Sequence, residues 1–409
     1  MTHNVKKDRF FNLPVTILVA LSFMLGMSEF IMVGILPDIA AGLKVSEVTV
    51  GNLVSLFALV YAPVTPLGSA LSARFPRFPR FATHLTLVGV FLLGNVLCAF
   101  APNYGVLVIA RILIALVSGT LVAIAMTYAP DVTTERYRTK FIAWVFSGFS
   151  IASVVGVPVG TWVANVFGWR WAFHLVNVLT VELIVLMVIV LPRNSHIVKI
   201  GFLPQFRLFF DRRIQLGVLD VVFGAAASYV FYTYLTPIMR DEVHVPERYL
   251  SVGLVIFGAA CLWSNLYGGK LADRGRGVEP LTHIRPIYCA HAVLMASLIA
   301  AHWVPVYGAL LLVVLGMFMY LQNSASQVLY MDVASQSHPG SLNLAASLNS
   351  MSFNIGIALG SAVGGVVNGH VGLMWLGPVG ALFLLCAIAI TTMLRPFVAR
   401  EREFYSRGK

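Results

Sequence analysis

Twelve stretches of mostly apolar residues follow one another along this chain, near 13–37, 48–73, 81–101, 105–130, 141–164, 171–191, 214–238, 249–271, 284–303, 306–330, 343–367 and 373–394. Each meets the length of about 20 residues that a helix needs to cross the hydrocarbon core of a bilayer. Inside lipid the backbone must satisfy its own polar groups, which leaves only helices or a closed barrel. A barrel would show short alternating segments, and none occur here. Composition agrees. The chain is 58% hydrophobic and 11% charged, whereas a soluble domain carries about 25% charged residues. A water-soluble enzyme and a disordered chain are both excluded. The first run, from Leu13 to Leu36, follows Lys6, Lys7 and Arg9, is too long for a signal-peptide core and lacks a small-residue cleavage site. The expected fold is an all-α membrane protein of twelve spans.

The net charge of +11 bears on topology and does not suggest nucleic acid. With the N-terminus placed in the cytoplasm, 23 of the 28 Lys and Arg residues fall in cytoplasmic segments. The outer loops hold only Lys44, Arg170, Arg240 and Arg248, and Arg111 lies inside a span. Positive charge is retained on the cytoplasmic side, so both termini are expected inside a cell membrane. Trp169, Trp171, Trp303 and Trp375 fall at outer boundaries, where amphipathic rings settle. Cys98, Cys261, Cys289 and Cys386 lie singly in apolar stretches with no metal-ligand spacing, so neither metal nor cofactor is expected. No nucleophile motif and no phosphate-binding loop is present, which argues against an enzyme and against a nucleotide-driven pump.

The chain also repeats itself. Gly156-Val157-Pro158-Val159-Gly160 in span five has a counterpart in Gly356-Ile357-Ala358-Leu359-Gly360 in span eleven, 200 positions later. Pro37 and Pro237 end spans one and seven at the same offset, and Gly68 corresponds to Gly269 at an offset of 201. A basic connection, 192–213, separates a first six-helix bundle, 1–191, from a second, 214–409. Parallel six-helix repeats are a transporter design that binds substrate between the halves near the bilayer midplane.

These residues resemble the major facilitator superfamily over essentially the whole chain. Gly269-Lys270-Leu271-Ala272-Asp273-Arg274-Gly275 resembles its cytoplasmic loop signature, and Gly68 to Arg74 is a degenerate copy with Ser72 at the usual Asp. Leu107 to Arg111 resembles the fourth-helix arginine motif of proton-coupled exporters, and Gly148 to Thr161 the fifth-helix antiporter motif. Met27 to Phe30, with Gly34 and Leu36 to Ala40, is similar to the first helix of the drug:proton antiporter group. The branch it resembles is that of arabinose-efflux-like permeases, which export sugars, nucleosides or chloramphenicol. The resemblance implies two pseudo-symmetric bundles and proton-coupled export of a small molecule by alternating access. It also implies a cytoplasmic gate at Gly68, Arg74, Gly269, Asp273 and Arg274. An importer or uncoupled facilitator of the same fold is the alternative, and a non-transporting receptor or scaffold leaves the repeat unexplained.

Glu29 and Arg111 are the sharpest candidates. A carboxylate within a span is costly unless paired, protonated or facing a cavity. At about 1.5 Å per residue, the two lie at matched depth in the outer half of the first bundle. The resemblance assigns both to proton coupling; a static ion pair clasping spans one and four is the competing reading. Asp220 and Glu182 are secondary acids, Glu182 with Asn95 as a proposed partner. His174 and His291 are expected to be satisfied by neighbours. Gly148, Gly156 and Gly160, around Pro158, recur on one face of span five, and Gly356 and Gly360 on span eleven. Small faces let helices approach closely, and the expected contacts are five against eight and two against eleven. Phe57, Tyr61, Tyr229, Tyr232, Gln322, Asn323 and Gln327 offer aromatic faces and amides for a neutral, partly polar substrate. The expected partners are that substrate, protons and membrane lipid, with the protein acting as a monomer.

Overall fold

The computed structural model describes residues 10–72, 80–134, 137–193, 205–272, 279–338 and 341–407. Twelve helices among them are long and apolar enough to cross a membrane, and no strand is present among the described residues. Span one is Leu13–Gly34, span two Glu47–Ser72, span three Arg80–Ala99 and span four Tyr104–Thr127. Span five runs through Arg138–Ile151, a π-helical turn Ala152–Gly156, and Val157–Phe167; span six is Trp169–Val190. Span seven is Arg212–Tyr232, span eight Glu247–Ala272 and span nine Glu279–Ser297. Span ten comprises Pro305–Phe318 and Leu321–Ser337, span eleven is Leu342–His370 and span twelve Leu376–Arg407.

Helix ends follow local chemistry. Asn12 caps span one by accepting the Val15 amide, and Asn103 caps span four by accepting that of Val106. The π-helical turn sits just before Pro158. A proline inside a helix has no N–H to donate and its ring crowds the carbonyl four residues earlier, so the helix widens by one residue there. The breaks near Pro37 and Pro237 are placed differently from expectation. Each proline stands inside a short helix, Leu36–Leu43 and Leu235–Pro237, and the interruption falls before it, at Ile35 and at Thr233–Tyr234.

Packing repeats between the halves. Span one packs on five and six as seven packs on eleven and twelve; two packs on four as eight packs on ten; three packs on six as nine packs on twelve. The halves meet where two touches eleven and five touches eight, which are equivalent contacts under that correspondence. The 200-residue offset in the sequence is thus matched in the helix neighbours. A Cβ on Gly68 would strike Thr120 of span four, and one on Gly268 the Leu321 backbone of span ten at 2.7 Å, whereas Gly269 meets only Ser324 at 3.8 Å. Gly268, at an offset of 200, is therefore the equivalent of Gly68, in place of Gly269. Arg74, Asp273 and Arg274 lie outside the described residues.

The glycine faces point elsewhere than expected. Gly148, Gly156 and Gly160 abut Ser22 and Phe23, Met27, and Ile31 of span one. Gly356 and Gly360 abut Val222, Ala225 and Ala226 of span seven. Both stripes close contacts within a bundle. The tight approach between halves is made instead by Gly258 of span eight, where a Cβ would lie 2.7 Å from the Ser153 carbonyl oxygen and from Val154 Cα. Pro158 lines a shallow apolar crevice beside that contact with Val159, Trp162, Ser251, Val252 and Val255.

Candidate functional site between the two halves

Arg111 is fully buried in span four. One guanidinium nitrogen donates to the Ser28 carbonyl at 2.7 Å and another to the Glu29 carbonyl at 3.4 Å. The plane of the group lies over Phe57 at 4.3 Å. The Ser28 hydroxyl donates to the Asn95 side-chain oxygen at 2.7 Å, and the Asn95 amide returns a bond to the Phe91 carbonyl. Spans one, two, three and four are thus fixed around one cation. A planar fork suits two adjacent carbonyls in a way an ammonium does not.

The expected ion pair does not form. The arginine grips the main chain of span one, and the half-buried Glu29 carboxylate makes no hydrogen bond or ion pair among the described residues. It remains within electrostatic reach of Arg111 and of Tyr229, Tyr232 and Tyr320. Spans one and four are clasped through the Ser28 and Glu29 carbonyls and not through the Glu29 carboxylate. The guanidinium is held by two main-chain carbonyls, and the carboxylate has no hydrogen-bond or ion-pair partner among the described residues.

The facing wall is aromatic. Tyr229 lies edge-on to Tyr232 at 5.1 Å and to Phe353 at 5.8 Å, and its hydroxyl is 3.4 Å from that of Tyr320. Tyr320 stacks on Phe353 at 5.6 Å, and Tyr232 on Phe257 at 5.5 Å. Phe57 and Tyr61 form a tilted pair at 5.9 Å in the first half. Offset and edge-to-face rings of this kind present both apolar faces and hydroxyl tips. Tyr229 stands 200 positions after Glu29, at the equivalent place in span seven, and lies within its electrostatic reach.

Polar groups continue from this wall toward the contact between the halves. The Asn323 amide reaches Asn265 at 3.5 Å, and Asn265 donates to Ser150 of span five at 2.9 Å. Asn349 donates to Asn323 and accepts from Ser326. Gln322 is buried against Gly224 of span seven and accepts from Tyr288, which also lies 3.2 Å from the Asp220 carboxyl. Gln327 is half-buried and has no hydrogen bond among the described residues. Sequence reading passed over Tyr320, Phe353, Tyr288, Asn265 and Ser150. The amides carry a signal, since they sit in otherwise apolar spans; the aromatic rings do not.

The remaining candidates fall outside this region. Glu182 is exposed on the surface of span six, and Asn95, its expected partner, is committed to Ser28 and Phe91. His174 packs against Phe100 and Trp171; His291 stacks on Phe318 and its Nε2 has no hydrogen-bond partner among the described residues.

The two halves are drawn together at the end where span one leads into Leu36–Leu43 and span seven into Leu235–Pro237. Thr236 donates to the Val33 carbonyl at 2.8 Å, Arg240 pairs with Glu47 at 2.8 Å, and Tyr234 fills the space over Gly51.

A Major Facilitator Superfamily model matches residues 18–344. The MFS-type transporter YtbD of Bacillus subtilis is 29% identical over 394 residues, covering 96% of this chain and 98% of that protein. The inner membrane transport protein YdhP of Escherichia coli K12 is 30% identical, with 93% and 96% covered. A chloramphenicol resistance protein of Streptomyces lividans is 28% identical, with 92% and 94% covered. Among solved structures, a bacterial homologue of the human lysosomal transporter Spinster, inward-facing and occupied, aligns with a TM-score of 0.74 at 13% identity, covering 93% of this chain and 96% of that one. With the twelve spans, the paired bundles and these matches, the chain belongs to the major facilitator superfamily of multi-pass membrane transporters.

Proposed function

We propose that this transporter is a proton-coupled exporter of a neutral, partly polar small molecule, of sugar-like, nucleoside-like or amphipathic drug type. The observation that carries the reading is Glu29: a half-buried carboxylate without a hydrogen-bond or ion-pair partner among the described residues, beside a fixed cation and within electrostatic reach of Tyr229, Tyr232 and Tyr320. An ionisable group inside the membrane is costly, and it persists where it carries protons or meets a polar ligand. Arg111 is spent on backbone carbonyls, so Glu29 can gain and lose a proton without unlocking span one from span four. A substrate hydroxyl or amine that approaches the carboxylate competes with that proton, and this competition is the coupling. The rings of Tyr229, Tyr232, Tyr320 and Phe353 supply the apolar contact for a ring-shaped substrate.

The similarity to a chloramphenicol resistance protein supports the export direction. The outer contacts at Val33 and Glu47 support a conformation closed on the side away from the cytoplasm, in a cell membrane with both termini inside. The test is transport in inverted vesicles with a pH-sensitive dye and a panel of sugars, nucleosides and antibiotics. Substrate-dependent proton efflux from the vesicles is expected. Transport that neither moves protons nor responds to a proton gradient would favour an uncoupled facilitator.

A further inference from the structure

Asp220 is fully buried in span seven, and no cation faces it among the described residues. Its Oδ2 lies 3.2 Å from the Tyr288 hydroxyl, and its Oδ1 has no hydrogen-bond partner among the described residues. The Tyr288 hydroxyl is at the same time in hydrogen-bond contact with the Gln322 side-chain oxygen. A phenol carries a single hydrogen. The Gln322 oxygen can only accept, so the phenol hydrogen goes there. The Gln322 amide nitrogen points the other way, 3.5 Å from the Val221 carbonyl, and reversing the amide would set two carbonyl oxygens against each other. The phenol oxygen is then left as an acceptor, and the carboxyl oxygen facing it must bring a hydrogen. The donor count closes only if Asp220 carries a proton.

We propose that Asp220 is a second proton-carrying group of this transporter, in the half opposite Glu29, with Tyr288 and Gln322 as the switch that senses its loading. This rests on the transport reading above. In the loaded arrangement Asp220 donates to Tyr288, and Tyr288 donates to Gln322. When the proton leaves to water, the Tyr288 hydrogen turns from Gln322 to the carboxylate, and Gln322 loses its hold on span nine. One proton leaves the carboxyl for water, one hydrogen bond of Tyr288 changes acceptor from Gln322 to Asp220, and no other covalent bond is made or broken. Gln322 adjoins Asn323, whose contact with Asn265 leads to Ser150 in the other half. A shift of span ten is therefore felt where the two halves meet. The groups facing Asp220 are few. Span nine presents Tyr288 and span ten presents Tyr330, whose hydroxyl is 3.3 Å from the neutral Ser352 of span eleven. Span twelve brings Phe383 against Phe223 one turn away. Arg213, at the cytoplasmic start of span seven, is held by Asp211.

The test uses the full-length protein in lipid. Infrared difference spectra between high and low pH should show a buried protonated carboxyl band that Asp220→Asn removes and Tyr288→Phe shifts. Protons moved per substrate should fall by one in Asp220→Asn, with substrate binding retained. A band unchanged by Asp220→Asn would overturn the assignment, and so would a band that is present but an unchanged proton count. Glu29→Gln should still move the Asp220 proton; loss of all proton movement in Glu29→Gln with the Asp220 band intact would overturn Asp220 as a carrier and leave the transport reading standing, whereas absence of proton movement in the unmodified protein would be a fault of the transport reading. Should Asp220→Asn fail to accumulate, Tyr288→Phe carries the same test: an unshifted band and an unchanged count would refute the switch.

Discussion

Gly258→Ala adds one methyl group where the halves press together. Its Cβ would stand 2.7 Å from the Ser153 carbonyl oxygen and from Val154 Cα, against ordinary contact beginning at 3.4 Å. Both obstacles are backbone, so no side chain can rotate aside, and spans five and eight must part by about 0.7 Å, the difference between 2.7 and 3.4 Å. Overpacking of this size costs about 1–3 kcal/mol. The cost falls on the arrangement that holds this contact and is relieved in one that opens it. A difference of about 1–3 kcal/mol moves a two-state balance roughly 5- to 150-fold. Gly89→Ala is the control, since nothing lies within 4 Å of its Cβ and alanine is the better helix former. The assay is labelling of single cysteines on the cytoplasmic and outer faces, alongside transport rate. Gly258→Ala should shift the labelling ratio and slow transport, and Gly89→Ala should do neither. Equal labelling and transport in both variants would refute the claim that this contact belongs to one conformation.

Three further outcomes are expected. Arg111→Lys keeps a charge but cannot reach both the Ser28 and Glu29 carbonyls, and a hydrogen bond to a charged group is worth about 1.5–3 kcal/mol; thermal unfolding in detergent should fall and transport should be impaired, and wild-type behaviour in both would show that the carbonyl grip is idle. Gly156→Leu forces span five away from Met27, 3.0 Å from its Cβ position, at about 1–3 kcal/mol; the loss should appear as lowered stability of the first bundle, and an unchanged melting profile would contradict the packing described. Asp38, in the short helix beyond span one, is pushed up by burial and by Glu247, with Arg240 opposing. A raised value means the closed outer end holds the proton more tightly than an opened, hydrated one, so the closed form gains below the ordinary carboxylate range and loses that gain as external pH rises through the raised value. Outer labelling of a cysteine at Ser46 should therefore rise with external pH, and Asp38→Asn should flatten the response; an equally steep response in the variant would refute it.

Much of the fold was legible because hydropathy and charge asymmetry act on whole segments. The twelve spans and the 200-residue repeat needed no side-chain detail. Partner choice was not legible. A row of glycines on span five says that something approaches closely, yet nothing in the row says whether it is span one or span eight. The π-helical turn at Ala152–Gly156 further rotates the face. Arg111 and Glu29 were correctly placed at one depth, but a carbonyl and a carboxylate of the same residue are the same letter in a sequence, and the structure chose the carbonyl. Tyr320 and Phe353 were invisible for a different reason: an aromatic residue in an apolar span reads the same whether it faces lipid or substrate. Glu182 shows the reverse error, since its burial was inferred from its depth along the helix, and depth along a helix does not fix the side it faces.

The central claim is that Glu29 exchanges a proton as substrate binds, and proton release on substrate addition to the detergent-solubilised protein, read with a pH-sensitive dye, tests it most directly. The unmodified protein should release protons in proportion to bound substrate. Glu29→Gln keeps the shape without the charge; it should retain substrate binding, lose that release at its own site and fail to concentrate substrate in inverted vesicles energised by a proton gradient. Undiminished proton release together with uphill transport in Glu29→Gln would contradict the account.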